Sequence, residues 1–186
     1  VLENCPKAVH VFDHFHVVKL MNEHLDDIRR KVYAMEKDVN KRKVLKGTRY
    51  LLLGNGEDIF DKQHKTRLDN ALAMNEPLSK AYYLKEQLRE IWAQVSKTEA
   101  EAVLNDWVKQ ARESKTPQLM KMAGTLLAHK RGILAWYDCH ISTGKVEGIN
   151  NKIKVMKRNA YGFRDDRYFT LRLYALHDCR ITRNVG

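Results

Sequence analysis

The chain has 186 residues, of which 44% are hydrophobic and 31% charged, with 34 Lys and Arg against 23 Asp and Glu. This length supports one sizeable core, with at most a smaller subdomain, and leaves little room for a complete two-domain enzyme. A net charge of +11 favours a polyanionic partner, although a basic surface without any specific partner has the same composition.

Further function classes are excluded by what the chain lacks. No run approaches the roughly 18 apolar residues of a membrane span, and the amino end has no signal-peptide pattern, so we expect a soluble intracellular protein without a membrane partner. The three cysteines are widely spaced and form no C-x-x-C pair, which argues against a disulfide framework or a zinc ribbon.

The amino-terminal third contains the one strand candidate and a long helix. Ala8–Phe12 is short, rich in β-branched residues and preceded by Pro6, as is typical of a strand. An amphipathic helix is predicted from Phe15 to about Asp38, because apolar residues recur there at three- and four-residue spacing. A second apolar stretch, Leu45–Leu53, ends at the turn signal Gly54-Asn55-Gly56. One strand cannot make a sheet, so its partners must come from elsewhere.

The rest of the chain is predicted to be helical throughout. Pro residues and capping patterns mark most of the helix starts. Helices are predicted to begin at Lys65, near Pro77, at Thr98-x-x-Glu101, at Thr116-Pro117, near Gly144 and at Asp166. Gly132 is a possible kink, and the terminal helix is predicted to end at His177. The chain therefore predicts a mainly α architecture, a multi-helix bundle with one short strand.

The helix predicted to open near Gly144, capped by Ser142 or Thr143, is the most informative segment. A step of about 100° per residue places four polar side chains on one side of it, Glu147, Asn151, Lys154 and Arg158. Apolar side chains fall on the opposite side, Ile149, Ile153 and Met156. A single carboxylate beside a basic stripe suits a site that holds a metal ion and a phosphate backbone together. The alternative is an ordinary solvated helix face on which Glu147 complements the helix N-terminus.

Two shorter motifs have open interpretations. Asp13-His14-Phe15-His16 follows the strand candidate, and Asp13 could cap the next helix, ligate a metal or orient another group. In Tyr161-Gly162-Phe163-Arg164, aromatic residues next to an arginine could stack on nucleic acid or form a packed turn between helices.

Several of these segments together carry a family resemblance. They are Asp13-x-x-His16, the run Val17–Arg30, and Ser142-Thr143-Gly144-x-x-Glu147-Gly148-x-Asn150-Asn151-Lys152-Ile153-Lys154 with Lys157-Arg158 and Gly162-Phe163. Over almost the whole chain they resemble the carboxy-terminal part of bacterial insertion-sequence transposases of the ISL3 group.

The resemblance implies an RNase-H-like DDE enzyme, in which two aspartates and a glutamate bind two divalent ions, Mg²⁺ or Mn²⁺. It makes Glu147 the catalytic, metal-binding glutamate and gives Asp13 and His16 a supporting role. It implies DNA contacts, at transposon ends and target, by Lys145, Asn151, Lys154, Lys157, Arg158 and Arg164. A homo-oligomer and a cytoplasmic, nucleoid-associated location also follow from it.

The resemblance also divides the chain. Residues 1–16 would be the remnant of the RNase-H-like core, 17–141 a helical insertion domain, and 142–186 the glutamate helix with a basic terminal helix. The chain begins without a methionine, and both family aspartates are expected upstream, so we expect a fragment that is inactive alone. The alternatives are a non-catalytic basic helical module that binds nucleic acid, or a helical protein-interaction bundle.

Overall fold

The computed structural model describes residues 7–139 and 144–176, without the side chains of residues 144–146. Every regular element in these ranges is helical, which confirms the predicted mainly α fold. The α-helices are α1 (His14–Met35), α2 (Val39–Leu45), α3 (Arg49–Leu53), α4 (Lys62–Ala73), α5 (Glu76–Leu88), α6 (Lys97–Glu113), α7 (Pro117–Leu134), α8 (Trp136–Cys139), α9 (Gly144–Asn159) and α10 (Asp166–Ala175). Short 3₁₀ turns cover Gly56–Asp58 and Arg89–Trp92. The contacts divide the chain into two compact units, Val1–Ile141 and Ser142–Gly186.

The predicted strand at Ala8–Phe12 is wrong, because these residues are irregular in the structure. The Phe12 N–H donates to the Gly132 carbonyl at 3.0 Å, which attaches this segment to α7. The Phe12 ring lies between two histidine rings, with centroid distances of 4.4 Å to His10 and 4.8 Å to His129. A strand requires a neighbouring strand, and the described ranges contain none; Phe12 packs on a helix instead, and Val9 is exposed.

Helix α1 runs through the middle of the first unit and shows why the long amphipathic pattern forms a helix. Its buried stripe is Val17, Met21, Leu25 and Ile28, and it packs against α5, α7 and α3. The helix ends at Met35, earlier than the predicted Asp38, because the Asp38 carboxylate accepts hydrogen bonds from the Asn40 and Lys41 N–H groups and caps α2.

The core of the first unit is completed by α5, α6 and α7. Helices α6 and α7 pack against each other, with the large side chains of Leu104, Trp107 and Met122 buried. The Trp107 indole N–H donates to the Leu84 carbonyl at 2.7 Å, which satisfies its polar atom inside the core. Burial of each such side chain contributes about 1.5–3 kcal/mol. None of the helices in the described ranges is long and apolar enough to span a membrane.

Several predicted helix features differ from the structure for local reasons. Helix α4 begins at Lys62 and not at Lys65, because Asp61 caps it. The stretch Leu45–Leu53 is split between α2 and α3 by Gly47, whose φ of +81° interrupts the helix. Helix α6 is capped by Ser96, whose hydroxyl accepts from the Glu99 N–H at 3.2 Å, rather than by Thr98. Helix α7 continues through Gly132 to Leu134.

The described part of the second unit contains α9 and α10, joined by a tight turn. Helix α9 begins at Gly144 as predicted, whereas the predicted cap residues Ser142 and Thr143 lie outside the described ranges. Gly162 has a φ of +98° in the turn, and Asp165 caps α10 by accepting from the Arg167 N–H at 2.8 Å. Helix α10 is described to Ala175, and the predicted end at His177 lies beyond the described residues.

Candidate functional site

The polar face predicted for α9 is exposed, and the opposite face is partly buried. Glu147, Asn151, Lys154 and Arg158 are all exposed, whereas Met156 is buried and Ile153 is half-buried. At 3.6 residues per turn, the four polar side chains follow one another along a single side of the helix. A polyanion could therefore contact the cations of this face while a metal ion contacts the carboxylate.

The Glu147 carboxylate lies in the first turn of α9, at the end of the helix where the helix dipole is positive. Among the side chains that the structure describes, no Lys, Arg or His nitrogen lies within 4 Å of it. Within the described residues the carboxylate is thus not in an interior ion pair, and as an exposed side chain it is accessible to a cation from solvent.

The predicted DNA-binding cations differ in their surroundings. Lys154 and Arg158 have no carboxylate within 4 Å in the part of the chain that is described. The Lys157 ammonium lies 4.6 Å from the centre of the Phe169 ring, which is a cation–π contact. Arg164 is exposed in the turn before α10, and the side chain of Lys145 lies outside the described residues.

The Tyr161–Arg164 motif was interpreted either as a nucleic-acid contact or as a packed turn, and Phe163 agrees with the packed turn. Its ring lies 5.1 Å from that of Phe169 and 6.0 Å from that of Tyr168. Tyr161, by contrast, is fully exposed and has a φ of +51°. Phe163 therefore joins α10 to the turn, and Tyr161 is the aromatic residue that a ligand could reach.

Asp13 and His16 have separate environments within the first unit. The Asp13 carboxylate accepts from the Phe15 N–H at 2.8 Å and lies 3.5 Å from His14 Nδ1, so it caps α1. The His16 side chain is exposed, with its ring 6.1 Å from that of Phe15. Capping was one of the open interpretations of Asp13, and the hydrogen bond supports it.

A complete divalent-metal site does not fit the side chains described. No group of three or more His, Cys, Asp and Glu residues in the described ranges could hold a metal ion. One carboxylate such as Glu147 supplies at most two of the six or more oxygen ligands that Mg²⁺ or Ca²⁺ takes. Any two-metal site that uses Glu147 needs carboxylates beyond those described.

A second basic surface was not predicted from the sequence. It is a groove between α2 and α4, hereafter the α2–α4 groove, lined among others by Lys43, Lys62, Gln63, Arg67 and Asn70. The sequence signal for this surface is the basic run Lys41-Arg42-Lys43. The sequence alone did not indicate that this run lies next to the cations of α4.

Comparison of the sequence with known proteins identifies a family. The family model for ISL3-type DDE transposases, described as transposase, matches residues 1–173. The chain is 40% identical to the transposase for insertion sequence element IS1001 of Bordetella parapertussis, over 91% of this chain and 42% of the relative. It is 30% identical to the transposase for IS1557 of Mycobacterium tuberculosis, over 88% of this chain and 41% of the relative.

These matches cover nearly all of the chain but only part of each relative. The chain spans about two fifths of the length of the curated transposases that it matches. No solved structure matches it. Since the family model covers both the α1 region and the Glu147 helix, the chain belongs to the ISL3 family of DDE insertion-sequence transposases.

Proposed function

We propose that this chain is the carboxy-terminal part of the catalytic domain of a DNA transposase, and that Glu147 supplies the glutamate of its metal site. DDE transposases generally use divalent metal ions, and Mg²⁺ or Mn²⁺ would be held by Glu147 together with two aspartates from an upstream segment. Asp13 and His16 would then support the site rather than bind metal, and DNA would contact α9 and the turn that follows it.

The observation that carries this proposal is the exposed carboxylate at the start of α9, followed along the same side of the helix by Asn151, Lys154 and Arg158. A phosphate held by Lys154 and Arg158 would lie near the Glu147 carboxylate, and the two negative charges would repel each other. A metal ion bound between them would turn this repulsion into attraction. The family membership supports DNA as the polyanion.

A second candidate function is a non-catalytic helical module that binds nucleic acid. It is favoured by the lack of a three-ligand cluster in the described ranges and by the six positive charges in excess among residues 144–186, ten Lys and Arg against four Asp and Glu. In this case Glu147 has no role in chemistry, and only the cations of α9 matter.

The decisive experiment compares Glu147→Gln with Glu99→Gln in a transposase that joins this chain to the upstream segment with the aspartates. Both glutamates are exposed and lie in the first turn of a helix, so the two substitutions remove the same charge from equivalent positions. Cleavage of DNA with the element's terminal repeats is measured in Mg²⁺ and in Mn²⁺.

We expect metal-dependent cleavage to fall to background in Glu147→Gln and to be unchanged in Glu99→Gln, while DNA affinity is retained in both. Equal activity of the two variants would leave the binding module as the better description. The 186-residue chain alone should cleave nothing, and metal-dependent nicking by the pure chain, lost in Glu147→Gln, would contradict the need for upstream aspartates.

A further inference from the structure

The α2–α4 groove is a concentration of positive charge in the first unit, outside the Glu147 helix. Helices α2 and α4 together carry six Lys and Arg, namely Lys41, Arg42, Lys43, Lys62, Lys65 and Arg67, against one acidic residue, Asp69. Among the residues that flank the two helices, Lys46 adds one positive charge and the capping residues Asp38 and Asp61 add two negative charges. The groove is open to solvent, with a volume of about 800 Å³.

The lysines of this groove are free of carboxylate partners within the described part of the chain. The lysines that form ion pairs in this part of the chain lie elsewhere. Lys80, for example, pairs with Glu76 at 2.6 Å, and Lys130 pairs with Glu101 at 2.7 Å. Lys43 and Lys62 are exposed and line the groove from its two sides, one from each helix. Neither ammonium is therefore held in an ion pair with a described side chain, and both are available to an anion.

Arg67 has a different role, because it fixes the two walls of the groove together. Its Nη2 donates to the Lys43 carbonyl at 3.2 Å and to the Lys46 carbonyl, at the end of α2. Two carbonyls without helical partners are thereby satisfied, and α4 is held against α2. Since a guanidinium holds both walls, the spacing of Lys43 and Lys62 across the groove is set by the fold.

The remaining lining offers the neutral donors that contact a phosphate backbone. Gln63 and Asn70 carry amide groups of the kind that bind phosphate and sugar oxygens in protein–DNA complexes, whereas the Thr66 hydroxyl already donates to the Lys62 carbonyl at 2.9 Å. The one acidic residue in the lining, Asp61, uses its carboxylate to cap α4, accepting from the Gln63 N–H at 2.8 Å. This carboxylate keeps its negative charge, and the groove is still basic because Lys43, Lys62 and Arg67 outnumber it.

We propose that the α2–α4 groove is a second DNA-binding surface, in which Lys43 and Lys62 contact phosphates of the duplex backbone. DNA as the occupant rests on the proposed function, because a transposase must hold DNA along more than its cleavage site. The groove contains no exposed aromatic residue among its described lining, so we assign it backbone contacts without base recognition.

The test measures binding of the 186-residue chain to a fluorescent DNA duplex by anisotropy over a range of NaCl concentrations. The variant is Lys43→Ala/Lys62→Ala, and the matched control is Lys80→Ala/Lys130→Ala, which removes the same two charges but from lysines that already pair with Glu76 and Glu101. Each lost phosphate contact lowers the slope of log K against log[salt] by about 0.9.

We expect the groove variant to reduce the slope by about 1.8 and the control to leave it within about 0.4 of the original. Lys43→Arg/Lys62→Arg should restore the slope, since arginine also contacts phosphate. Circular dichroism checks that all of the variants fold, and Lys43→Gln/Lys62→Gln replaces the alanine variant if that one unfolds.

An unchanged slope in the groove variant overturns the proposal, because the two lysines then contact no phosphate. An equal reduction in both variants also overturns it, because net charge alone would then explain the effect. The outcome is independent of the proposed function of Glu147, which is tested by cleavage. Loss of cleavage in Glu147→Gln with no effect of the groove variant would reject this inference alone.

Discussion

Gly132 shows how one residue without a side chain determines a contact between distant segments. A Cβ at this position would lie 2.3 Å from Phe12 Cδ2 and 3.1 Å from the His10 carbonyl oxygen. The Phe12 ring cannot withdraw freely, because it lies between His10 and His129 and its own N–H is bonded to the Gly132 carbonyl. The glycine is therefore required for close approach, whereas its sequence position suggested a kink.

We predict that Gly132→Ala destabilises the chain by about 1–2 kcal/mol, because overpacking outweighs the gain of about 1 kcal/mol in helix propensity. Gly124→Ala is the matched control, since it lies in the same helix and a methyl group added there would have no neighbour within 4 Å, so it should stabilise by about 0.5–1 kcal/mol. Urea unfolding measures both variants.

A double-mutant cycle assigns the cause of this effect to one contact. In a Phe12→Ala background the clash with the ring is removed, so Gly132→Ala should cost at least about 1 kcal/mol less than in the original chain. If the cost is the same in both backgrounds, the close approach of Phe12 is not its origin.

At the scale of elements, Asp26 connects α1 to α3 through one carboxylate and three arginines. Its carboxylate lies 2.8 Å from Arg29, 3.1 Å from Arg30 and 3.5 Å from Arg49, and the residue is buried. Burial by itself raises the pKa of Asp26, but the Arg29 hydrogen bond and the three positive charges together hold it below its usual value of 3.8. The ionised carboxylate is thus the form that the fold stabilises.

We predict that Asp26→Asn lowers the free energy of unfolding by about 1–3 kcal/mol at pH 7, since the charge-assisted hydrogen bonds are lost. Because the folded pKa is depressed, the contribution of Asp26 is fully present above the unfolded pKa and is lost as the pH falls through the folded value. The difference between the variant and the original chain should therefore shrink below about pH 4, as measured by urea unfolding at several pH values.

Glu76→Gln provides the comparison, because its carboxylate is exposed and pairs with Lys80, four residues along α5. Such an exposed pair is screened by water, so the substitution should change the free energy of unfolding very little. A penalty for Asp26→Asn that stays constant down to low pH would show that packing, and not charge, connects α1 to α3.

The elements also show how far the sequence could be interpreted. Apolar spacing predicted α1, and the start of α9 was predicted at Gly144, because helix hydrogen bonds and the buried stripe are local. The strand at Ala8–Phe12 was wrong because strand formation depends on a partner distant in sequence. The groove between α2 and α4 was missed for a similar reason, as Arg67 joins helices whose contacting residues are 21 and 24 positions apart.

For the candidate site, the exposed face of α9 could be predicted from helical periodicity, whereas the capping role of Asp13 was only one of three possibilities. Whether a residue caps a helix depends on its φ and ψ angles, which are −69° and 129° at Asp13. The sequence does not specify these angles, so it was compatible with several roles for the Asp13 side chain. The roles proposed for Glu147, Asp13 and His16 in chemistry stay predictions.

For the whole molecule, the positive charge is distributed over both units, but carboxylates able to hold a metal ion are not grouped in the described ranges. DNA affinity and metal affinity should therefore separate in this chain. Exposed cations on α2, α4 and α9 can release counterions from DNA without any metal ion, among them Lys43, Lys62, Lys65, Lys154, Lys157 and Arg158. A divalent ion, in contrast, would find one carboxylate at position 147.

We predict that the chain alone binds Mn²⁺ no more tightly than its Glu147→Gln variant does, as measured from the electron paramagnetic resonance signal of free Mn²⁺. One carboxylate leaves at least four ligand positions to water, which gives no advantage over the hydrated ion. Joined to the upstream aspartates, the same chain should bind the ion and lose that binding in Glu147→Gln. Tight binding by the chain alone that depends on Glu147 would contradict this, and would mean that the missing ligands come from residues 1–186 themselves. DNA should raise Mn²⁺ affinity only in the joined protein, because a phosphate oxygen adds one ligand to the carboxylates already there.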